Sequence, residues 1–78
     1  MQGNAERFGR WLRAKRALRG LSQAVAASRL GVSRTTLAKW EAGTRAPGKL
    51  SQIATIARWA KVTPLDVLRK LGALAPEK

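Results

Sequence analysis

The 78-residue sequence contains no cysteine and no histidine. The first absence excludes disulfides, and the two together remove the ordinary ligands of a structural zinc site. Acids are nearly as scarce: four Asp and Glu stand against sixteen Lys and Arg, a net charge of +12. Four scattered acids without a histidine or cysteine make no acid–base pair, no activated nucleophile and no metal cluster. An enzyme is therefore not expected, and neither is a metal or other cofactor. No apolar run is long enough to span a bilayer, and the N-terminus carries no leader-like pattern. A soluble, cytoplasmic chain is expected, without a membrane partner. Repeats, low-complexity tracts and period-two strand patterns are also missing.

What is present is positive charge on a chain the size of one small domain. With so few acids to balance it, the excess points to a polyanion: DNA, RNA or an anionic surface.

The most informative stretch is Ser22–Ala42, SQAVAASRLGVSRTTLAKWEA. Ser22 is an N-cap, and Gln23 to Arg29 run without Gly or Pro. Gly31 supplies a tight turn. Ser33 caps a second helix from Arg34 to Ala42, whose Leu37 and Trp40 share an inward face, and Gly43 closes it. Two short helices joined by a glycine turn form the unit whose second helix enters the DNA major groove.

The flanks complete an all-α, five-helix arrangement. A first helix, capped by Asn4, runs to about Arg19, with Phe8 and Leu12 on an apolar face flanked by Trp11 and Leu18. Gly9 weakens that helix by about 1 kcal/mol relative to Ala unless close packing requires it. Leu21 packs back on the helix, and Leu30 and Val32 point inward around the turn. Ala27 marks a close approach between the second and third helices. After the loop Thr44–Gly48 a fourth helix covers Leu50 to Ala60, with Leu50, Ile53, Ile56, Ala57 and Ala60 as its buried stripe. Thr63, Pro64 and Asp66 start a fifth helix through a capping box, with Leu65, Val67, Leu68 and Leu71 on its apolar face. One domain over 1–72 and a short tail over 73–78 are expected, with the helix-turn-helix core at about 22–42.

GLSQ (Gly20–Gln23), LGVS (Leu30–Ser33), RTTLAKWE (Arg34–Glu41) and GTRAP (Gly43–Pro47) occur in this order and spacing. Together they resemble the lambda-repressor/Cro-like (XRE) helix-turn-helix family over about residues 8–71. Three positions depart from its pattern. Ala26 replaces a large aliphatic residue, Val25 a polar one, and Lys61 the glycine that commonly ends the fourth helix. Gly48 lengthens the loop by one residue.

The resemblance implies a five-helix domain that regulates transcription, as a homodimer on inverted repeats in double-stranded DNA. It implies base reading by Arg34, Thr35 and Lys39, with Thr36 and Ala38 as further candidates. Their chemistry agrees: Arg and Lys donate to guanine O6 and N7, and Thr offers a hydroxyl and a methyl. Gln23 matches a phosphate-binding position that also braces the first reading residue. Ser22, Thr44, Arg45 and Lys49 are candidate phosphate contacts around the unit, and Arg10 and Arg13 extend that wall. Arg16 and Glu41 match a structural ion pair between the first and third helices. Glu41 is the one acid in the middle of the chain, and beside DNA it requires a cation.

A repressor or autoregulator with no small-molecule ligand is the leading expectation. An antitoxin-like or accessory protein whose main partner is another protein is the alternative. A basic membrane-surface peptide built on Trp11 and the Arg-rich first helix is a weaker rival.

Overall fold

The computed structural model describes residues 4–72. The expected tail at 73–78 lies outside them. Five helices and no strand occur among the described residues: α1 Asn4–Leu18, α2 Gln23–Leu30, α3 Arg34–Ala42, α4 Leu50–Ala60 and α5 Pro64–Lys70. Asn4, expected as a cap, is the first residue within α1.

Local chemistry sets the boundaries. Ser22 Oγ accepts the Val25 N–H at 3.1 Å, and Ser33 Oγ accepts the Thr36 N–H at 3.0 Å. Each satisfies a donor that the start of a helix leaves open. Gly31 turns the chain after α2 with φ of 74°, in the left-handed region that a side chain disfavours. At α5, Thr63 Oγ1 accepts the Asp66 N–H at 3.1 Å and Asp66 Oδ2 accepts the Thr63 N–H at 3.2 Å. The bond from the Thr63 backbone N–H, chiefly, holds the Asp66 carboxyl below its usual range. Its contribution is present above the ordinary carboxylate pKa and is lost as pH falls through the lowered one. Lys61 occupies the left-handed region at the end of α4, with φ of 62°.

Phe8, Leu12, Ala26, Ala27, Leu30, Leu37, Trp40, Ile53, Ile56, Ala57, Trp59, Ala60 and Val67 form one buried cluster, with Trp11, Leu21, Val32, Val62, Leu68 and Leu71 packed against it. α1 lies along α3 and α4 along α5; α2 bridges α3 and α4, and α5 reaches back to α1. Ala26 is buried and Val25 is exposed, so α2 turns a small face to the core.

Three expected core positions are instead exposed: Leu18 at 82%, Leu50 at 80% and Leu65 at 45%. At 100° per residue, Leu18 continues the half-buried Trp11 edge of α1 rather than the Phe8–Leu12 face. Leu50 is the first residue of α4 and stands at the lip of an open groove with Pro47, Ile53, Leu68 and Leu71. Leu65 lies two residues before the fully buried Val67, about 200° around the helix. Conversely, Trp59 is buried although it fell outside the expected stripe, and the Arg19 guanidinium carbon lies 5.0 Å from its ring centroid.

Gly9 decides how closely α1 and α3 approach. A Cβ there would overlap the Trp40 carbonyl oxygen and lie 2.6 Å from that of Glu41. Both obstacles are backbone, so relief requires moving a helix. Gly9→Ala is therefore expected to lower stability by about 1–3 kcal/mol by overpacking, despite the better helix propensity of Ala. Urea melts check this; a variant as stable as wild type would show that the two backbones are not in contact at this point.

Candidate nucleic-acid interface

α2, its turn and α3 place two helices with their capped N-termini facing out. On α3, Leu37 and Trp40 are buried, whereas Arg34, Thr35 and Lys39 are exposed and Thr36 and Ala38 half-buried. Taking Arg34 as the origin, Ala38, Ala42, Thr35 and Lys39 follow at about 40°, 80°, 100° and 140° around the axis. Thr35 and the two alanines thus occupy the centre of the outward arc. Arg34 and Lys39 stand at its two edges, and Thr36 falls beyond Lys39. The Thr36 hydroxyl is already engaged: its Oγ1 accepts from Ser33 Oγ at 3.0 Å.

Arg16 and Glu41 meet beneath this surface. Arg16 Nε donates to Glu41 Oε2 at 2.7 Å and Nη2 donates to Oε1 at 3.0 Å, a two-pronged pair. Arg16 Nη1 also donates to the Leu21 carbonyl at 2.9 Å. The hydrogen bond to Glu41 is the main reason the Arg16 pKa is raised. Glu41 Oε1 accepts a third bond, from Gln23 Nε2 at 3.0 Å. One carboxylate therefore links α1, the start of α2 and α3. Around it lies a pit lined by Arg13, Arg16, Gln23, Ala38, Glu41 and Ala42.

On the other side of α3 a cleft of about 320 Å³ is lined by Thr36, Lys39, Trp40, Arg45, Ala46 and Gln52. The backbone N–H groups of Thr44 and Arg45 both bond to the Lys39 carbonyl, at 3.1 and 3.3 Å, and Thr44 Oγ1 donates to the same oxygen. They close the helix, which leaves Arg45 its guanidinium for an outside partner. Arg13, Arg45 and Lys49 are exposed, and none of them is paired with a carboxylate among the described residues. Arg10 and Ser22 are exposed as well, and Ser22 Oγ accepts within its cap.

Sequence reasoning missed two features. Gln23 was read as a phosphate contact without its bond to Glu41; no spacing rule joins residues eighteen apart. Gln52 was not singled out, yet its Oε1 accepts the N–H groups of Gly48 and Lys49 at 3.2 and 3.3 Å. A glutamine three residues after a helix start is half of a capping box, and that signal was legible.

Among the described residues no group of acids can hold a metal, and no helix is long and apolar enough to cross a membrane. A helix-turn-helix family model matches residues 12–68. The chain belongs to the lambda-repressor/Cro-like (XRE) helix-turn-helix family. It is a DNA-binding domain of the transcription-regulator type, in a family that is typically non-enzymatic. The crystal structure of the clp gene regulator ClgR from C. glutamicum has a similar fold, with a TM-score of 0.72 and 24% identity over 99% of this chain and 100% of that one. No curated protein matches the chain in sequence.

The Glu41 side chain is 4% exposed and that of Arg16 is 18%. Glu41→Ala leaves Arg16 and Gln23 without their acceptor and is expected to cost about 2–4 kcal/mol of stability. Operator preference among DNA sequences should change by less than about twofold in the fraction that folds. Thermal melts paired with binding to two DNA sequences check both halves.

Proposed function

We propose that this protein is a sequence-specific repressor or autoregulator that binds an inverted-repeat operator in duplex DNA as a homodimer, in the cytoplasm. One observation carries the reading. The N-terminal turn of α3 exposes Arg34 and Thr35, and unpaired Arg13, Arg45 and Lys49 stand on neighbouring elements. Cations beside a short exposed helix suit backbone phosphates flanking base edges in the major groove. A nine-residue helix reads few base pairs, so two copies on a symmetric site supply the discrimination that one lacks.

In this reading Arg34 donates to guanine and Thr35 packs against thymine. Arg10, Arg13, Ser22, Gln23, Thr44, Arg45 and Lys49 hold phosphates. The family membership supports DNA binding; the sign of regulation and the dimer are our proposal.

The decisive experiment is footprinting on the DNA around the protein's own gene, followed by titrations over a salt series. If a dimer neutralises about 6–10 phosphates, affinity should fall on the order of a thousandfold between about 50 and 200 mM salt. An affinity that barely changes would overturn the reading.

Arg34→Ala should weaken the operator by about 1–3 kcal/mol and relax preference at one base pair per half-site. Equal losses on operator and scrambled DNA would reduce Arg34 to a backbone contact.

A further inference from the structure

We infer that the apolar groove between the start of α4 and α5 is a docking site for another protein, and that its occupant is a short acidic segment inserting leucine-like side chains. The inference goes beyond DNA binding and does not rest on it, because α3 contributes no residue to the groove.

The groove holds about 270 Å³. Pro47 and Ile53 are buried at its floor, Leu68 and Leu71 are half-buried along one wall, and Leu50 stands 80% exposed at its lip. On α5, with Val67 as the origin, Leu71, Leu68 and Leu65 follow at about 40°, 100° and 160°. Leu65, 45% exposed, therefore carries the apolar strip out of the groove and across the helix. Four large apolar side chains are exposed among the described residues, and two of them, Leu50 and Leu65, belong to this strip; Leu18 and Val25 stand on α1 and α2. A single exposed leucine needs no explanation, but a continuous strip with a groove marks a contact surface.

Charge selects the occupant. Lys49 lines the groove at one edge of the strip, and Arg69, at about 200° on α5, follows Leu65 at the other. No acid lines the groove. Asp66 lies farther round, at about 260°, inside its capping box and without an ion pair to Arg69. An apolar strip between two cations complements apolar side chains flanked by carboxylates. A second copy fits worse: an isologous contact here would set the Lys49 and Arg69 of both chains against each other. A free metabolite fits worse as well, since Lys49 is the one polar side chain in the lining and a small ligand needs several convergent ones. The volume takes about one or two side chains rather than a whole helix, the anchoring mode of a peptide laid across a groove.

A labelled peptide of leucines spaced three and four apart among glutamates tests the proposal by fluorescence anisotropy. The titration is made without DNA, since Lys49 is also a candidate phosphate contact. Two controls replace its glutamates by lysines or its leucines by alanines. The acidic leucine peptide should bind saturably, and at least about tenfold more tightly than either control. Leu50→Glu should weaken it by about tenfold or more and melt close to wild type, because the side chain is exposed and a carboxylate suits the first turn of a helix. Leu65→Ser, at an exposed position on α5, should weaken it about three- to fivefold. No saturable binding would overturn the proposal. So would equal binding of the alanine control, which would mark only the general pull of a +12 chain on any polyanion. Unchanged affinity in either variant would place the peptide elsewhere and overturn it too. Sedimentation, and binding to phosphatidylglycerol vesicles, test the other occupants. Self-association or vesicle binding that Leu50→Glu abolishes would assign the groove to a second copy or to a membrane and reject the acidic segment.

Discussion

Two oxygens of the Glu41 carboxylate hold three parts of the chain at once. Arg16 approaches from α1 with two bonds, and Gln23 arrives from the start of α2. The same stretch of α3 presents its Trp40 and Glu41 carbonyls to the bare face of Gly9. Backbone contact and ion pair thus fix one crossing from two directions: Gly9 sets how near the helices lie, and Arg16 sets how they are rotated. The angle between α2 and α3, on which any reading of DNA depends, is anchored to α1 through this single acid. A charge pair so poorly hydrated contributes less net energy than its Coulomb term suggests, because both ions give up water. Its value lies in geometry, since a displaced helix would leave a buried charge unmatched.

The charge distribution divides labour across this frame. The one acid in the reading unit is neutralised from below, so the surface above it stays positive. Around α3 the two flanks differ. In the pit over Glu41, Arg16, Gln23 and Glu41 are bonded to one another and only Arg13 is an unpaired cation, whereas both cations of the cleft toward α4 lack a carboxylate partner among the described residues. In the proposed mode the exposed crown meets base edges while the α4 side takes up the backbone, which would fix the helix in rotation and in depth.

Much of this was legible in the sequence. Caps and breakers located all five helices to within a residue or two, because serine and threonine hydroxyls bond backbone only three residues away and glycine and proline act through their own backbone. The spacing of Leu37 and Trp40 gave the inward face of α3. Periodicity alone overreached at Leu18, Leu50 and Leu65, since it knows the face of a helix but not where its neighbour ends. Trp59 failed the other way, buried at the edge of its stripe where Arg19 covers it. The Gln23–Glu41 bond and the Lys39–Arg45–Gln52 cleft join residues brought together only by the fold, and no local rule could pair them. Gly9 shows the middle case: its cost to the helix and the close packing that would justify it were visible, and the carbonyls it packs against were not.

Lys61 carries a consequence of a different kind. A lysine in the left-handed region costs about 1 kcal/mol or more that glycine would avoid. Its charge at the end of α4 recovers only part of that through the helix dipole. What the lysine supplies, where a glycine would supply nothing, is one unit of the long-range field of a chain whose net charge is +12. Such a field acts before contact, drawing a polyanion in from solution and keeping an ill-aligned encounter from separating. The strained corner therefore bears on how fast the domain finds DNA and travels along it, a matter of association rate rather than of what it recognises on arrival.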